Sequence, residues 1–212
     1  MRKFLVGLGW VLGILAVLAI IGRIALFRVW TIPEDRALGA SLAPSLAAGD
    51  VVLVLFRGER GFGDLVRCPD PEDPQRWVVG RIVGTQGDRV QIAGGYVTVN
   101  GKRFGSTEAC VEGTLEVPHP TDGRPVQHTC SRVELGGGWH FMASAPNTTP
   151  EAPREHTVGA GRVFLLSDNR SFHDDSRDFG AVPAETCKEQ VVFRIWGKGG
   201  FFDAKHRFEV IH

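Results

Sequence analysis

The chain carries no net charge: 24 lysines and arginines offset 24 aspartates and glutamates. With no long-range field of one sign, nucleic acid is disfavoured as a partner, as is an acidic surface. There is a single tyrosine, and beyond residue 30 no long stretch holds the 3.6-residue apolar period of an amphipathic helix. Instead 27 glycines and 12 prolines break the chain into short apolar runs, which favours short strands and many turns. No internal repeat and no low-complexity tract is present. Cysteine is sparse, and Cys68, Cys110, Cys130 and Cys187 include no C-x-x-C pair, so neither a zinc nor a thioredoxin-like site is expected. The expectation is no metal and no cofactor. Disulfides require a domain outside the cytoplasm. Of the three connectivities, Cys110 with Cys130 is favoured because a Pro/Gly/Thr-rich segment lies between them; four free thiols are the alternative.

What is present begins with an apolar run. Phe4 to Gly22 holds no charge, and as a helix its 19 residues reach about 28 Å, close to the apolar thickness of a bilayer. Arg2 and Lys3 precede it and Arg23 and Arg28 follow, which orients the N-terminus toward the cytoplasm. A cleaved signal peptide is the rival reading, but Gly22-Arg-Ile-Ala stands where an A-x-A-like site would be. The expected organisation is an anchor over residues 1–30, with its helix at about 4–22, and one domain over 31–212. Phe27 and Trp30 are placed where the anchor leaves the membrane.

Val51–Phe56 reads as a buried strand, with Asp64–Arg67 pairing to it across a Gly-rich turn. Trp77–Val83 is the next strand, interrupted by Gly80, which marks a bulge or a close approach. Alternating Val90, Ile92, Val97 and Val99 around Asn100-Gly101 predict a meander. Residues 105–160 are rich in turns and suggest a loop-rich subdomain inserted into the main sheet. Val163–Ser167 and Gln190–Trp196 close the sheet, and residues 197–212 read as a tail. The fold class is therefore mainly β.

Chemistry concentrates in three stretches. Ser41 lies in Ser-Leu-Ala-Pro-Ser-Leu-Ala-Ala-Gly-Asp50, where a small hydroxyl beside a strand is a candidate nucleophile. Arg81-Ile-Val-Gly-Thr-Gln-Gly-Asp88 follows. Asp168-Asn-Arg-Ser-Phe-His-Asp-Asp-Ser-Arg177 packs acids, two arginines and a histidine into one loop.

In this order the stretches resemble the bacterial type I signal peptidases, membrane-anchored serine endopeptidases that remove signal peptides from exported proteins. The first is similar to S-M-x-P-T-L-x-x-G-D, the second to R-V-V-G-L-P-G-D. The third, from Ser167 to Gly180, is similar to G-D-N-R-x-x-S-x-D-S-R-x-x-G. The resemblance, over about residues 1–197, implies a signal-peptidase-like all-β catalytic domain on the extracytoplasmic (periplasmic) face of the inner membrane. It implies exported preproteins as substrates, the lipid bilayer as a partner, and possible contact with the translocation machinery. Ser41 aligns with the nucleophile. Asp168, Arg170, Asp175, Ser176 and Arg177 align with residues that brace the site, with Arg81 and Asp88 in the same supporting shell.

Two departures matter. The lysine that serves the family as general base is replaced here by Gly80, and a serine beside that lysine is replaced by His173. The expectation is a Ser41–His173 dyad, with Gly80 leaving room for the ring and Asp174 or Asp175 orienting it. An inactive site that grips signal-like peptides or a secretion partner is the alternative, as is recruitment of another base. Gly39 stands where many relatives carry a hydroxyl that helps the Ser41 N–H hold the oxyanion. A self-cleaving regulator related to DNA-binding repressors is disfavoured, since neither a helix-turn-helix nor the lysine is present.

Overall fold

The computed structural model describes residues 2–93, 95–146 and 154–212. Helix α1 (Arg2–Leu26) leads into β1 (Phe27–Thr31), α2 (Arg36–Leu42), β2 (Val51–Leu55), β3 (Leu65–Pro69) and β4 (Trp77–Gly84). Then come β5 (Arg89–Ala93), β6 (Tyr96–Val99), β7 (Lys102–Phe104), β8 (Ser106–Pro118), β9 (Pro125–Leu135), β10 (Gly138–Ser144) and β11 (Arg154–Thr157). The chain ends with β12 (Arg162–Leu166), α3 (Ser176–Phe179), β13 (Val182–Pro183), β14 (Glu189–Trp196) and β15 (Arg207–Val210). The fold is mainly β, as expected.

The largest sheet runs β1-β2-β14-β3-β4-β12-β13, with β15 also paired to β14. Strand β4 lies inside it, between β3 and β12. Val79 joins the cluster of Ile32, Leu38, Leu42, Val52 and Val54, while Val78 and Ile82 join Val66, Val163 and Leu165 on the opposite face. A strand buried on both faces has no polar side to show, which is why Trp77–Val83 reads as a continuous apolar run. Beside it, β11-β5-β6-β7 form a second sheet whose Val90, Ile92, Val97 and Val99 pack on Val83, Phe164 and Leu166. The meander turns at Asn100 and Gly101, both at positive φ (50° and 83°), as a two-residue hairpin turn of the primed type demands.

Several expectations are corrected. Asp64–Arg67 does not pair with Val51–Phe56: β14 lies between β2 and β3, because its apolar alternation fills the gap that a simple hairpin would close. Residues 105–160 are far from loop-rich, since β8, β9 and β10 form a sheet of their own. Their turn-forming residues sit at the two hairpin ends and at an irregularity between Ala109 and Thr114. Residues 197–212 are not a free tail, for β15 adds to β14 and Ile211 N–H donates to Val192 O at 3.0 Å. Phe27 and Trp30 belong to β1, paired along its length with β2.

The short α2 was not foreseen. Asp35 caps it, accepting from Ala37 N at 2.8 Å and Leu38 N at 3.1 Å, and Leu38 and Leu42 bury one turn apart. It stops at Ala43 because a residue before proline leaves the helical region. Helix α1 exposes Trp10, Val11, Leu12, Ile14, Leu15, Val17, Leu18, Ile20 and Ile21 by more than half each. Among the described residues, no helix is long and apolar enough to cross a membrane; the side chains at 2–6, 8, 9, 19 and 24 of α1 lie outside the description.

Both disulfides are closed, Cys68–Cys187 and the favoured Cys110–Cys130. They enclose 119 and 20 positions respectively. In chain-entropy terms the longer loop stabilises more, about 4–5 kcal/mol against about 3 kcal/mol. Chemical denaturation of the Cys68→Ala/Cys187→Ala and Cys110→Ala/Cys130→Ala proteins is expected to show the larger loss in the first. A larger loss in the second would mean that the inserted sheet, rather than chain closure, limits stability.

Candidate functional site

Arg81 and Asp168 form the buried centre of the site. Arg81 lies on β4 beside Leu166, so the residues immediately after β12 arrive at its side chain. Its Nε and Nη2 donate to the two Asp168 oxygens at 2.7 and 3.0 Å, the parallel fork of a bidentate pair. Ser45 Oγ donates to the same carboxylate. Burial alone pushes the Asp168 carboxyl up, but Arg81 and the Ser45 hydroxyl hold it below its ordinary value. His140 Nε2 is 3.7 Å from Asp168 Oδ1, within ion-pair range. Burial, with Arg81 and Arg170 close by, nevertheless drives the imidazole well below its usual range, and it is neutral. Its Nε2 then accepts from Arg170 Nη2 at 3.4 Å, which places the ring proton on Nδ1.

The loop after β12 is braced from within. Asp175 caps α3, receives both Arg177 Nε (3.0 Å) and Nη2 (2.8 Å), and accepts from Ser167 N–H at 2.7 Å. Burial raises its carboxyl, and Arg177 with the two backbone donors more than reverses that. Ser176 Oγ accepts from Leu165 N–H at 2.9 Å, tying α3 to β12. Arg177 also donates to Arg170 O at 2.9 Å. Arg170 itself is buried and donates to Ser167 O; burial, partly offset by Asp168, brings its pKa down to about 10. Asp88 stands apart from this network. Its carboxylate serves Thr85 and Asn100 and holds the turn between β4 and β5.

Asn169 ties this loop to the serine. Its N–H donates to Ser41 O and its Nδ2 to Ala40 O, each at 3.0 Å. Phe172 packs against Ala40 and Ala43, which flank Ser41 in the chain. Ser41 is fully enclosed, and its Oγ donates to Leu38 O at 2.9 Å, one turn back in α2. Gly39 is held by close packing, because a Cβ there would lie 3.0 Å from Ala48 Cβ; its N–H donates to Asp35 O. A hydroxyl-bearing residue at that position would press on Ala48, which would have to give way.

His173 meets a different acid from those expected. Its Nδ1 is 2.8 Å from Asp178 Oδ2, the same oxygen that accepts from Asp175 N–H in the capping box of α3. Asp175 is occupied by Arg177, and Asp174 faces Arg76 at 3.8 Å. Among the described residues no hydrogen bond joins His173 to Ser41. Nor does Gly80 leave a vacancy: a Cβ there would meet Leu165 Cβ at 3.1 Å and the Leu166 N and O at 3.3 Å, so β12 closes that space. One donor atom each of His173, Asp175 and Asp178 lies within 4.8 Å of the others, but the Asp175 and Asp178 oxygens are engaged by protein donors.

Ser45, His140 and Asp178 were missed from sequence. Asp178 carries a visible signal, three residues after the capping Asp175 at the start of a helix. His140 has a weaker one, since it shares the inward register of β10 with buried Met142.

Two tests follow from this geometry. Gly80→Lys is expected to lose about 1–3 kcal/mol in denaturant unfolding without gaining activity, because the new side chain starts inside the β4–β12 contact. Asp174, raised to about 6 by burial, with Asp70, Asp178 and Asp35 adding to the rise and Arg76 opposing it, is costly when ionised. A carboxyl with a raised folded pKa destabilises above about pH 6, and that cost fades as pH falls toward its unfolded value. Asp174→Asn is expected to stabilise by about 1–2 kcal/mol at pH 8, after allowance for solvent screening, with the gain gone by about pH 4. Thermal melts across that range measure it, and a gain independent of pH would refute the assignment.

Residues 6–196 match the family described as Signal peptidase, peptidase S26. Similar curated proteins include Signal peptidase I of Aquifex aeolicus, 31% identical over 94% of this chain and 85% of that protein. Signal peptidase IB of Staphylococcus aureus is 26% identical over 80% of this chain and 79% of its own length. Signal peptidase I of Streptococcus pneumoniae is 24% identical over 84% and 89%. With nearly the whole β domain matched and the three motif stretches meeting around Arg81 and Asp168, the chain belongs to the signal peptidase family, peptidase S26, whose work is the removal of signal peptides.

Proposed function

We propose that this chain is a membrane-anchored serine endopeptidase that removes signal peptides from exported preproteins, with Ser41 as nucleophile and His173 as general base. The observation that carries the reading is the His173–Asp178 contact, in a loop bonded through Asn169 to the backbone of Ser41. With its Nδ1 proton committed to a carboxylate, the imidazole presents Nε2 as the basic nitrogen. That nitrogen takes the Ser41 hydroxyl proton as Oγ attacks the scissile carbonyl, then returns it to the departing amine. Water repeats the sequence on the acyl-enzyme. Arg81, Asp168, Arg170, Asp175, Ser176 and Arg177 hold the two arms in place without entering the chemistry.

For this to occur Ser41 must rotate out of its bond to Leu38 O, an exchange costing about 1 kcal/mol when the base replaces the lost acceptor. The Ser41 N–H is the proposed oxyanion donor, without help from position 39, whose N–H is spent on Asp35 O. In this reading α1 anchors the domain through the uncharged Phe4–Gly22 stretch, and its apolar side chains, exposed in the isolated chain, face lipid. The N-terminus lies in the cytoplasm and the β domain on the extracytoplasmic face of the inner membrane. Two disulfides suit that oxidising side, where the translocation machinery delivers its products.

A second reading is favoured by the enclosed Ser41 hydroxyl and the absence of an amine at Gly80: the site grips signal-like peptides or a secretion partner without cutting. Cleavage of a preprotein by bilayer-reconstituted protein from about pH 5 to 9 separates the two. Ser41→Ala and His173→Ala are each expected to reduce turnover by about 10²–10⁴-fold. Asp178→Asn is expected to lose less and to retain peptide binding. If wild type and Ser41→Ala are equally inert while both bind the peptide, the second reading replaces the first.

A further inference from the structure

We propose that Arg76 is a positioning residue that clamps the helix carrying Ser41 to the loop carrying His173. The inference rests on the endopeptidase reading above. Arg76 precedes β4 and faces three carboxylates at once: its Nη2 is 3.2 Å from Asp35 Oδ2 and 3.8 Å from Asp174 Oδ2, and its Nη1 is 3.6 Å from Asp70 Oδ2. The three acids come from three separate parts of the chain. Asp35 is the N-cap of α2, whose last turn holds Ser41. Asp174 is the neighbour of His173, and Asp70 follows β3 with its other oxygen accepting from Glu72 N–H.

Asp70 and Asp174 are largely withdrawn from water, at 5% and 21% side-chain exposure. One guanidinium is the cation that this group shares. Asp174 also feels Asp178, the acid that orients His173. Ion pairs therefore run from the α2 cap through Arg76 to Asp174, which adjoins His173 in the chain and feels the charge of Asp178. Without the cation, Asp35 and Asp174 repel, and the nucleophile helix and base loop are driven apart at the point where they must hold register. Other charged groups facing this cluster are accounted for: Asp178 lies on α3, Asp70 beyond β3, and Asp35 before α2.

The experiment compares wild type with Arg76→Met, Asp174→Asn and the double variant in the full-length, bilayer-reconstituted protein. Arg76→Met is expected to lower kcat by about ten- to a hundredfold with KM little changed, as a displaced catalytic group does. The ring resonances of His173 in folded Arg76→Met are expected to move from their wild-type positions while the rest of the β domain keeps its spectrum, because the loop carrying Asp174 is then no longer tied to the α2 cap. The double variant, in which the surplus charge is gone, is expected to recover most of both effects. Unmoved His173 ring resonances in folded Arg76→Met, or a double variant no better than the single, overturn the proposal. If even wild type fails to cleave, the endopeptidase reading falls on its own, and the His173 resonances still decide whether Arg76 controls the loop.

Discussion

The buried pair of Arg81 and Asp168 is the constraint around which the rest is arranged. A guanidinium and a carboxylate removed from water repay their desolvation only when every remaining donor and acceptor is satisfied. Here the satisfaction comes from Ser45, in the segment after α2, and from Gly63 O, in the turn before β3, while the neutral His140 of β10 stands beside the pair and accepts from Arg170. Each partner belongs to a different element, so meeting the demands of one ion pair fixes the mutual position of the α2 segment, the main sheet and the inserted sheet. Asp168 sits next to Asn169, and Asn169 bonds the backbone of Ser41. Electrostatic satisfaction in the interior thus becomes geometric precision at the serine.

A second consequence concerns where a base can reside. A side chain on β4 at position 80 would stand on a strand buried on both faces, but β12 packs closely over Gly80, and a Cβ there would press on Leu165 and the Leu166 backbone. The available imidazole is on the loop instead. A loop is a less exact platform than a strand, and this one compensates with the short α3, a capping box, two arginines and Asn169. The density of charge in Asp168–Arg177 is therefore read best as scaffolding for a loop that has to behave like a strand.

Strands were legible where burial is simple. β4, β12 and β14 carry apolar runs because the core covers them, and the Asn100-Gly101 turn announces its own hairpin. Pair assignment was not legible: β2 and β3 lie close in sequence, yet β14 (Glu189–Trp196) enters between them from far beyond the end of β3 at Pro69, and no local pattern records a contact at that range. The β8–β10 sheet was hidden because only one of its faces is covered, leaving long exposed stretches such as Thr107, Glu108 and Glu116 that read as loop. Helix α2 is too short for a period to declare itself; only Asp35 and the Ala43-Pro44 stop mark its ends. At the site, the braces were legible as a motif, while the partner of His173 was not, since Asp174, Asp175 and Asp178 are chemically alike and only the cap geometry of α3 separates them.

The Cys68–Cys187 bond has a bearing on how the molecule is made. Its second sulfur lies 119 residues after its first, and both Cys110 and Cys130 emerge in between. A chain synthesised from its N-terminus therefore offers Cys68 two wrong partners before the right one exists. Correct pairing demands either that the short Cys110–Cys130 ring close early and remove both competitors, or that mispaired sulfurs exchange later. The compact hairpin of β8 and β9 favours the first route: by folding on its own it turns a problem of synthesis order into one of local structure.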